Sequence, residues 1–133
     1  MTKSLTNINV LDFSHALSGP FCSMLLAELG AKIIKIEPPH GDHFRPANGG
    51  ATFAVVNRNK RSLCLDLKQP SASIIMERLI SKCDVILENF TPGTMKRLGY
   101  HYEALKKLKP DIIYASISGF GSTGPYKDLK GYD

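Results

Sequence analysis

The chain has 133 residues, with 17 Lys plus Arg against 12 Asp plus Glu for a net charge of +5. One domain of that size can bury roughly two thirds of its unfolded surface, and 43% apolar with 22% charged residues excludes a disordered or low-complexity chain. The positive excess favours anionic ligands but lacks the dense basic blocks of a nucleic-acid tail, while no apolar run approaches the ~18 residues of a membrane span and Met1 to Asn7 holds no apolar signal core.

The first strand is predicted over residues 8–13, Ile-Asn-Val-Leu-Asp-Phe. Gly19-Pro20 then opens a helix whose apolar residues Phe21, Met24, Leu25, Ala27 and Leu29 are expected to favour one face before Gly30 stops it. Lys32-Ile33-Ile34-Lys35-Ile36-Glu37 follows as a second strand closed by Pro38-Pro39, completing a β-α-β unit that implies a parallel sheet. A loop spans residues 38–50 and a short helix residues 51–57. The third strand is predicted over 62–67, a helix over 70–82 and the fourth strand over 84–88. A helical turn over 94–98 ends at Gly99, a short helix covers 102–108, and the fifth strand covers 111–117. Strands alternating with helices predict an α/β, Rossmann-like, doubly wound and mainly parallel sheet, with ligands bound beyond the carboxyl ends of the strands. Cys22, Cys64 and Cys83 lie far apart with no C-x-x-C, which reads as packed thiols in a reducing compartment and makes the cytoplasm the expected location.

Three segments at strand ends carry candidate chemistry. Residues 57–68 place Arg58, Lys60, Arg61 and Lys68 around the third strand, a cluster suited to a compact phosphorylated ligand or equally to a solvated basic rim. After the first strand, His15 stands before a helix N-terminus, whose free N–H groups and positive dipole end attract anions; a turn histidine satisfied by backbone is the alternative. After the fourth strand, Asn89, Phe90 and Arg97 offer an amide, a stacking face and a planar cation, a set suited to an adenine nucleotide, with core packing as the alternative for Phe90. Gly119-Phe120-Gly121-Ser122-Thr123-Gly124 matches the dinucleotide pattern only in form, because it follows the last strand and runs into Pro125; a flexible loop over a ligand or a plain turn fits better. His40, Asp42 and His43 lack a further ligand at helical spacing, so no metal is expected, and neither a nucleophile elbow nor a P-loop occurs.

Taken in order, Asn9-Val10-Leu11-Asp12-Phe13 with Gly19-Pro20, Leu29-Gly30-Ala31 with Lys35-Ile36-Glu37, residues 57–68, Asp84-Val85 with Glu88-Asn89-Phe90 and Pro92-Gly93, and Ser118-Gly119-Phe120-Gly121 with Gly124-Pro125-Tyr126 resemble the class III CoA-transferase family. That family includes formyl-CoA transferase, carnitine CoA-transferase and α-methylacyl-CoA racemase. The resemblance runs from about Leu5 to the end of the chain and rests on five ordered blocks. It implies that residues 1–133 are a partial, CoA-binding Rossmann-like domain, with the rest of the large domain and the small domain absent. It also implies an interlocked homodimer in the full-length form, acyl-CoA and a carboxylic acid acceptor as substrates, no covalently bound cofactor, and neither nucleic acid nor membrane as partner.

By position, His15 and Ala16 resemble the family's residues near the thioester. Leu65 and Lys68 resemble its adenosine and phosphate contacts, Asn89, Phe90 and Arg97 further CoA contacts, and Lys130 a lysine near the ligand's phosphates. His15, Tyr132 and Asp133 resemble supporting active-site positions. Pro38 and Leu17 replace an arginine and a glutamine of the formyl-CoA transferase branch, which puts formyl-CoA in question as the substrate. Tyr132 stands where the racemase branch has a catalytic histidine, and a phenol titrating near 10 is a poor base, so the resemblance favours a transferase over a racemase. Family transferases attack acyl-CoA with an aspartate about thirty positions past Asp133, forming a mixed anhydride and then an aspartyl-CoA thioester. The chain is accordingly expected to be catalytically incomplete by itself. A racemase-like fragment, a non-catalytic CoA or nucleotide-binding module, and RNA binding through Arg58 to Arg61 and Lys106 to Lys109 are the other readings.

Overall fold

A computed structural model describes residues 3–131. The five strands are β1 (Asn9–Asp12), β2 (Lys32–Glu37), β3 (Lys60–Cys64), β4 (Val85–Glu88) and β5 (Ile113–Ser116). They form one sheet in the order β3-β2-β1-β4-β5, with every neighbouring pair parallel. The helices are α1 (Ser18–Glu28), α2 (Ala51–Asn57), α3 (Ala72–Ile80), α4 (Thr94–Arg97) and α5 (Tyr102–Leu108). The fold is therefore the predicted α/β one, with helices on both faces of a parallel sheet.

The central strands β1, β2 and β4 are mostly buried because both of their faces are covered, whereas the edge strands β3 and β5 are largely half-buried or exposed. Their period of two sends Leu11, Phe13, Ile36 and Ile86 to one face, against Met76 and Ile80 of α3, Met95 of α4 and Leu105 of α5. Val10, Ile33 and Leu87 point to the other face, against Ala27 of α1 and the neighbouring Ala31. Helix α1 lies close to that face because the residues it turns inward are small or flexible: Gly19, Pro20, Ser23, Met24 and Ala27. A β-carbon on Gly19 would overlap the Ser14 side chain, 2.5 Å from its hydroxyl oxygen, so only glycine allows this approach. The expectation of a single apolar face on α1 is corrected here. Phe21, Leu25 and Leu29, spaced four apart, form a separate outward stripe with exposures of 47%, 46% and 51%.

The third strand also differs from its predicted span. It begins at Lys60 because residues 60–64 pair in register with residues 33–37, and Leu65 N–H still donates to Glu37 O at 2.8 Å. Beyond that bond the chain turns, as Asp66 accepts the Lys68 N–H at 3.1 Å. Leu65 and Leu67, which continue the alternation in sequence, pack from this turn onto the α3-side core. The other elements depart from prediction mainly at their ends, by one or two residues.

On the α1 side, the carboxyl half of the sheet buries charges instead of hydrocarbon. Asp12 accepts hydrogen bonds from the Ser14 N–H (2.9 Å), the Ser14 hydroxyl, the Ser23 hydroxyl (2.5 Å) and Lys60 Nζ (3.0 Å). Lys60 Nζ also donates to Pro20 O (2.8 Å) and Asn57 Oδ1 (2.9 Å), so each of its protons has an acceptor. Lys35, equally buried, donates to Ser14 O at 2.6 Å and pairs with Asp42 Oδ2 at 3.0 Å. Glu37 takes Arg45 Nε and Nη2 at 2.6 Å each, the Ser62 hydroxyl at 2.6 Å and the Asp42 N–H at 3.2 Å. Burial pushes Lys60 below the usual lysine range, partly countered by Asp12. Burial also opposes ionisation of Glu37, but the hydrogen bonds from Arg45, Ser62 and the Asp42 N–H outweigh it and hold the carboxyl low.

Three outcomes are expected. Replacing Lys60 by Ala strands the Asp12 charge in the interior and lowers unfolding free energy by about 3–5 kcal/mol. The double variant Asp12→Asn/Lys60→Met loses less than the sum of its single changes, as urea unfolding would show. Glu37 and Asp42 both have folded pKa values below their unfolded ones, so the unfolded chain binds protons first and these groups contribute stability above about pH 4 that is lost as pH falls. Acid unfolding followed by circular dichroism should be shallower in Asp42→Asn than in the parent.

Candidate functional site

Strand order reverses at β1. The chain moves outward to β2 and β3, then returns to lay β4 and β5 on the other side. The loop after β1 leads to α1 on one face and the loop after β4 to α4 on the other, which opens a crevice at the carboxyl ends of both strands. A cleft of about 850 Å3 lies there. Its walls are residues 15–18 after β1, Asn89 to Pro92 with Thr94 after β4, Ile117 to Gly119 after β5, His43 and Phe44 from the loop after β2, and residues 129–131.

Asn89 ties the two central loops together. Its Oδ1 accepts the His15 N–H at 2.8 Å, and its Nδ2 donates to His15 O at 2.8 Å and to Ser18 Oγ at 3.3 Å. Its amide protons are thus engaged inside the protein, and its contribution to the cleft is to hold residues 15–18 in place. Ala16 sits at φ +60°, the left-handed region that a residue with a β-carbon adopts at a cost, on the cleft wall just before α1. The first N–H groups of α1 have no intrahelical acceptor, and Leu17 and Ser18 at that end line the cleft.

The His15 ring lies against Phe90, with centroids 5.2 Å apart, and against His43 at 5.7 Å. Its Nδ1 stands 3.6 Å from Asp42 Oδ2, just outside hydrogen-bond reach. Burial works against the charged form of Asp42, yet His15, the Phe44 N–H and Lys35 together hold its carboxyl well below the usual carboxylate range. Phe90 lines the cleft and at the same time packs, partly buried, on the α3-side core. Across the cleft, the backbones of Gly119 and Gly131 run so close that a β-carbon on Gly119 would lie 2.6 Å from Gly131 Cα. The glycine-rich segment after β5 therefore folds back to form a wall with residues 129–131.

Of the residues singled out by sequence, His15, Ala16, Asn89, Phe90 and Lys130 meet at this cleft. Leu65, Lys68 and Arg97 are not on its walls. Leu65 packs on the α3-side core, Lys68 is exposed on the turn after β3, and Arg97 Nη2 donates at 2.7 Å to Thr94, which places it at the rim. Tyr132 and Asp133 lie outside the described residues. The basic cluster of residues 57–68 does not assemble as one anion site. Lys60 turns inward to Asp12, Arg58 pairs with Glu28 at 2.7 Å, and Arg61, one residue on from Lys60, projects to the opposite face of the sheet. Asp42 of the His40–His43 loop is buried against Lys35, and among the described residues no group of three or more His, Cys, Asp or Glu could hold a metal ion.

Sequence reading missed Lys35, Asp42, His43 and Phe44 as parts of the site. A signal for Lys35 was present: in Lys-Ile-Ile-Lys-Ile-Glu the period of two puts Lys35 and Glu37 on the same buried face as Ile33. Asp42 carried none, because its partners come from residues 15 and 35 in other elements.

Comparison with known proteins agrees with this architecture. The chain is 46% identical over 140 aligned positions to formyl-CoA:oxalate CoA-transferase of Bradyrhizobium diazoefficiens, and 45% identical to the enzyme of that name in Rhodopseudomonas palustris. In both alignments the whole chain is covered, and it spans 33% of the relative's length. Among solved structures, a CAIB/BAIF family protein from Brucella suis superposes with a TM-score of 0.95 at 36% identity, covering 100% of this chain and 38% of that one. A hypothetical protein from Mycobacterium tuberculosis gives 0.94 at 38% identity, covering 98% and 37%. The profile described as CoA-transferase family III matches residues 5–133, and the chain belongs to that family.

Proposed function

We propose that this chain is the N-terminal, CoA-binding part of an enzyme that moves coenzyme A from an acyl-CoA thioester to a carboxylate acceptor. The observation that carries the reading is the convergence of His15, Ala16, Asn89, Phe90 and Lys130 on one cleft at the point where strand order reverses. Phe90 offers an aromatic face for the adenine, with Lys130 on the wall and Arg97 at the rim as cations for phosphates. The α1 N-terminus and the left-handed Ala16 present backbone N–H groups suited to the thioester carbonyl. Coenzyme A enters as substrate, with no bound cofactor required.

The acyl group is left open by the cleft. Leu17 lends it an apolar, half-exposed side chain where the formyl-CoA branch has a glutamine, although the relatives named above are formyl-CoA:oxalate transferases. In this reading the attacking carboxylate belongs to an aspartate past residue 133, Asp133 is not the nucleophile, and Tyr132 favours transfer over racemisation. The outward stripe Phe21, Leu25 and Leu29 supports a full-length form in which further chain, in an interlocked homodimer, covers α1. Engagement of Lys60 and Arg58 by carboxylates weakens the RNA-binding reading, because two of its cations are already neutralised. A CoA-binding module without chemistry is the second reading, favoured by the same cleft.

Calorimetric titration with CoA should saturate, and Phe90→Ala should weaken affinity about tenfold, as loss of one base stack at ~1–3 kcal/mol implies. Failure of CoA to bind a folded chain would remove both CoA readings. Incubated with acyl-CoA and a carboxylate, the pure chain should transfer nothing, and measurable turnover would overturn its catalytic incompleteness.

A further inference from the structure

The His15–Asp42–Lys35 cluster has a role that CoA binding alone does not require. Asp42 is fixed on every side. Its Oδ1 accepts the Phe44 N–H at 2.9 Å, its own N–H donates to Glu37 Oε2 at 3.2 Å, and Lys35 Nζ lies 3.0 Å from its Oδ2. The Lys35 contact is an ion pair not aligned as a hydrogen bond, so Oδ2 is charge-matched yet keeps room for a hydrogen-bond donor. Facing it at 3.6 Å is His15 Nδ1, also buried and also without a hydrogen-bond partner. Lys35 holds the other half of the contact as well, because its 2.6 Å bond to Ser14 O fixes the residue before His15. Phe90 and His43 flank the ring and limit its turning.

Two atoms so placed form a hydrogen bond in only one tautomer of the neutral ring. With the proton on Nδ1, a buried donor meets a buried carboxylate oxygen, and a small closing movement makes the hydrogen bond. With the proton on Nε2, a lone pair would face a carboxylate oxygen with both atoms shielded from solvent, which is repulsive. We infer that Asp42, held by Lys35, is a positioning residue that sets the tautomer of His15, so that the neutral ring carries its proton on Nδ1 and leaves Nε2 as an acceptor for the cleft.

The consequence is chemical selectivity at the cleft floor. Neutral His15 accepts a hydrogen bond from an N–H or O–H of the ligand and offers nothing to a bare carbonyl, which must find its donors in the backbone N–H groups at the start of α1. On the CoA reading, on which the ligand's identity rests, the donor is an amide N–H of the pantetheine arm.

The test is the tautomer itself, read from long-range 15N–1H correlation spectra of the imidazole rings of the unliganded chain at about pH 9, above the ordinary histidine range. His15→Gln assigns the signals by their loss. The expected result is an excess of the Nδ1–H form of at least about tenfold, the ratio that ~1.4 kcal/mol maintains. A proton found on Nε2 in the parent protein overturns the inference without any variant. In Asp42→Asn the excess should disappear and in Asp42→Glu it should be partly retained; an unchanged tautomer in a folded Asp42→Asn would show that Asp42 does not set it. If Asp42→Asn does not fold, nuclear Overhauser contacts of the parent decide: an Nδ1–H close to the Phe44 N–H supports the assignment, and their absence with a visible Nε2–H refutes it. Because the reading is made without ligand, its failure leaves the CoA proposal standing, and a failed CoA titration leaves the tautomer standing.

Discussion

Burial of three carboxylates, Asp12, Glu37 and Asp42, on the α1 side of the sheet is the constraint on which the cleft depends. Each is matched by a cation from a different segment: Lys60 from β3, Arg45 from the loop after β2, and Lys35 from β2. Unpaired, any one of these charges would cost more than the hydrophobic contacts around it return. Paired and hydrogen-bonded, the set fixes backbone as well as side chains, because its members also grip Ser14 O, Pro20 O and the N–H groups of Ser14, Asp42 and Phe44. The loops after β1 and β2 are thereby locked to the sheet at the edge where a ligand would lie.

That locking explains how a strained residue persists at the cleft. Ala16 keeps its left-handed backbone because Asn89 clamps the main chain of His15 from across the crevice while Lys35 holds Ser14 from beneath. The close approach of Gly19 to Ser14 brings the start of α1 into the same small volume. Preorganisation of this kind would lower the ordering cost of filling the cleft, since Asn89 and Lys35 already hold residues 14 and 15 in place. The α3 side of the sheet, by contrast, is a mainly apolar core, whose one buried carboxylate, Glu88, accepts the Phe90 N–H at 2.9 Å at the cleft end.

The outer surface of α1 behaves differently from its inner one. Phe21, Leu25 and Leu29 share a stripe because residues four apart lie nearly in line on a helix, and nothing among the described residues covers them fully. The chain spans about a third of the length of its relatives, and an apolar stripe of this kind is the sort of surface that other protein structure covers. The same geometry dissolves the apparent cation cluster of residues 57–68, where adjacent residues of an extended strand point to opposite faces.

Alternating apolar runs, Gly and Pro punctuation and element lengths were enough to predict the parallel α/β sheet, and five ordered blocks were enough for the family. Both are local or colinear properties, carried by residues within a few positions of each other or by their order along the chain. Placement of His15, Ala16, Asn89 and Phe90 at strand ends was legible for the same reason, since the ends of strands in such a sheet gather at one edge. Which charges would be free and which buried was decided only in three dimensions. Lys60 meets Asp12 across 48 positions and Asn89 meets His15 across 74, and no local pattern announces a partner so distant. The sequence by itself therefore determined the sheet and the edge where the cleft forms, while the tertiary structure decided that Lys60 and Lys35 are internal ties and that His15 has a carboxylate behind it.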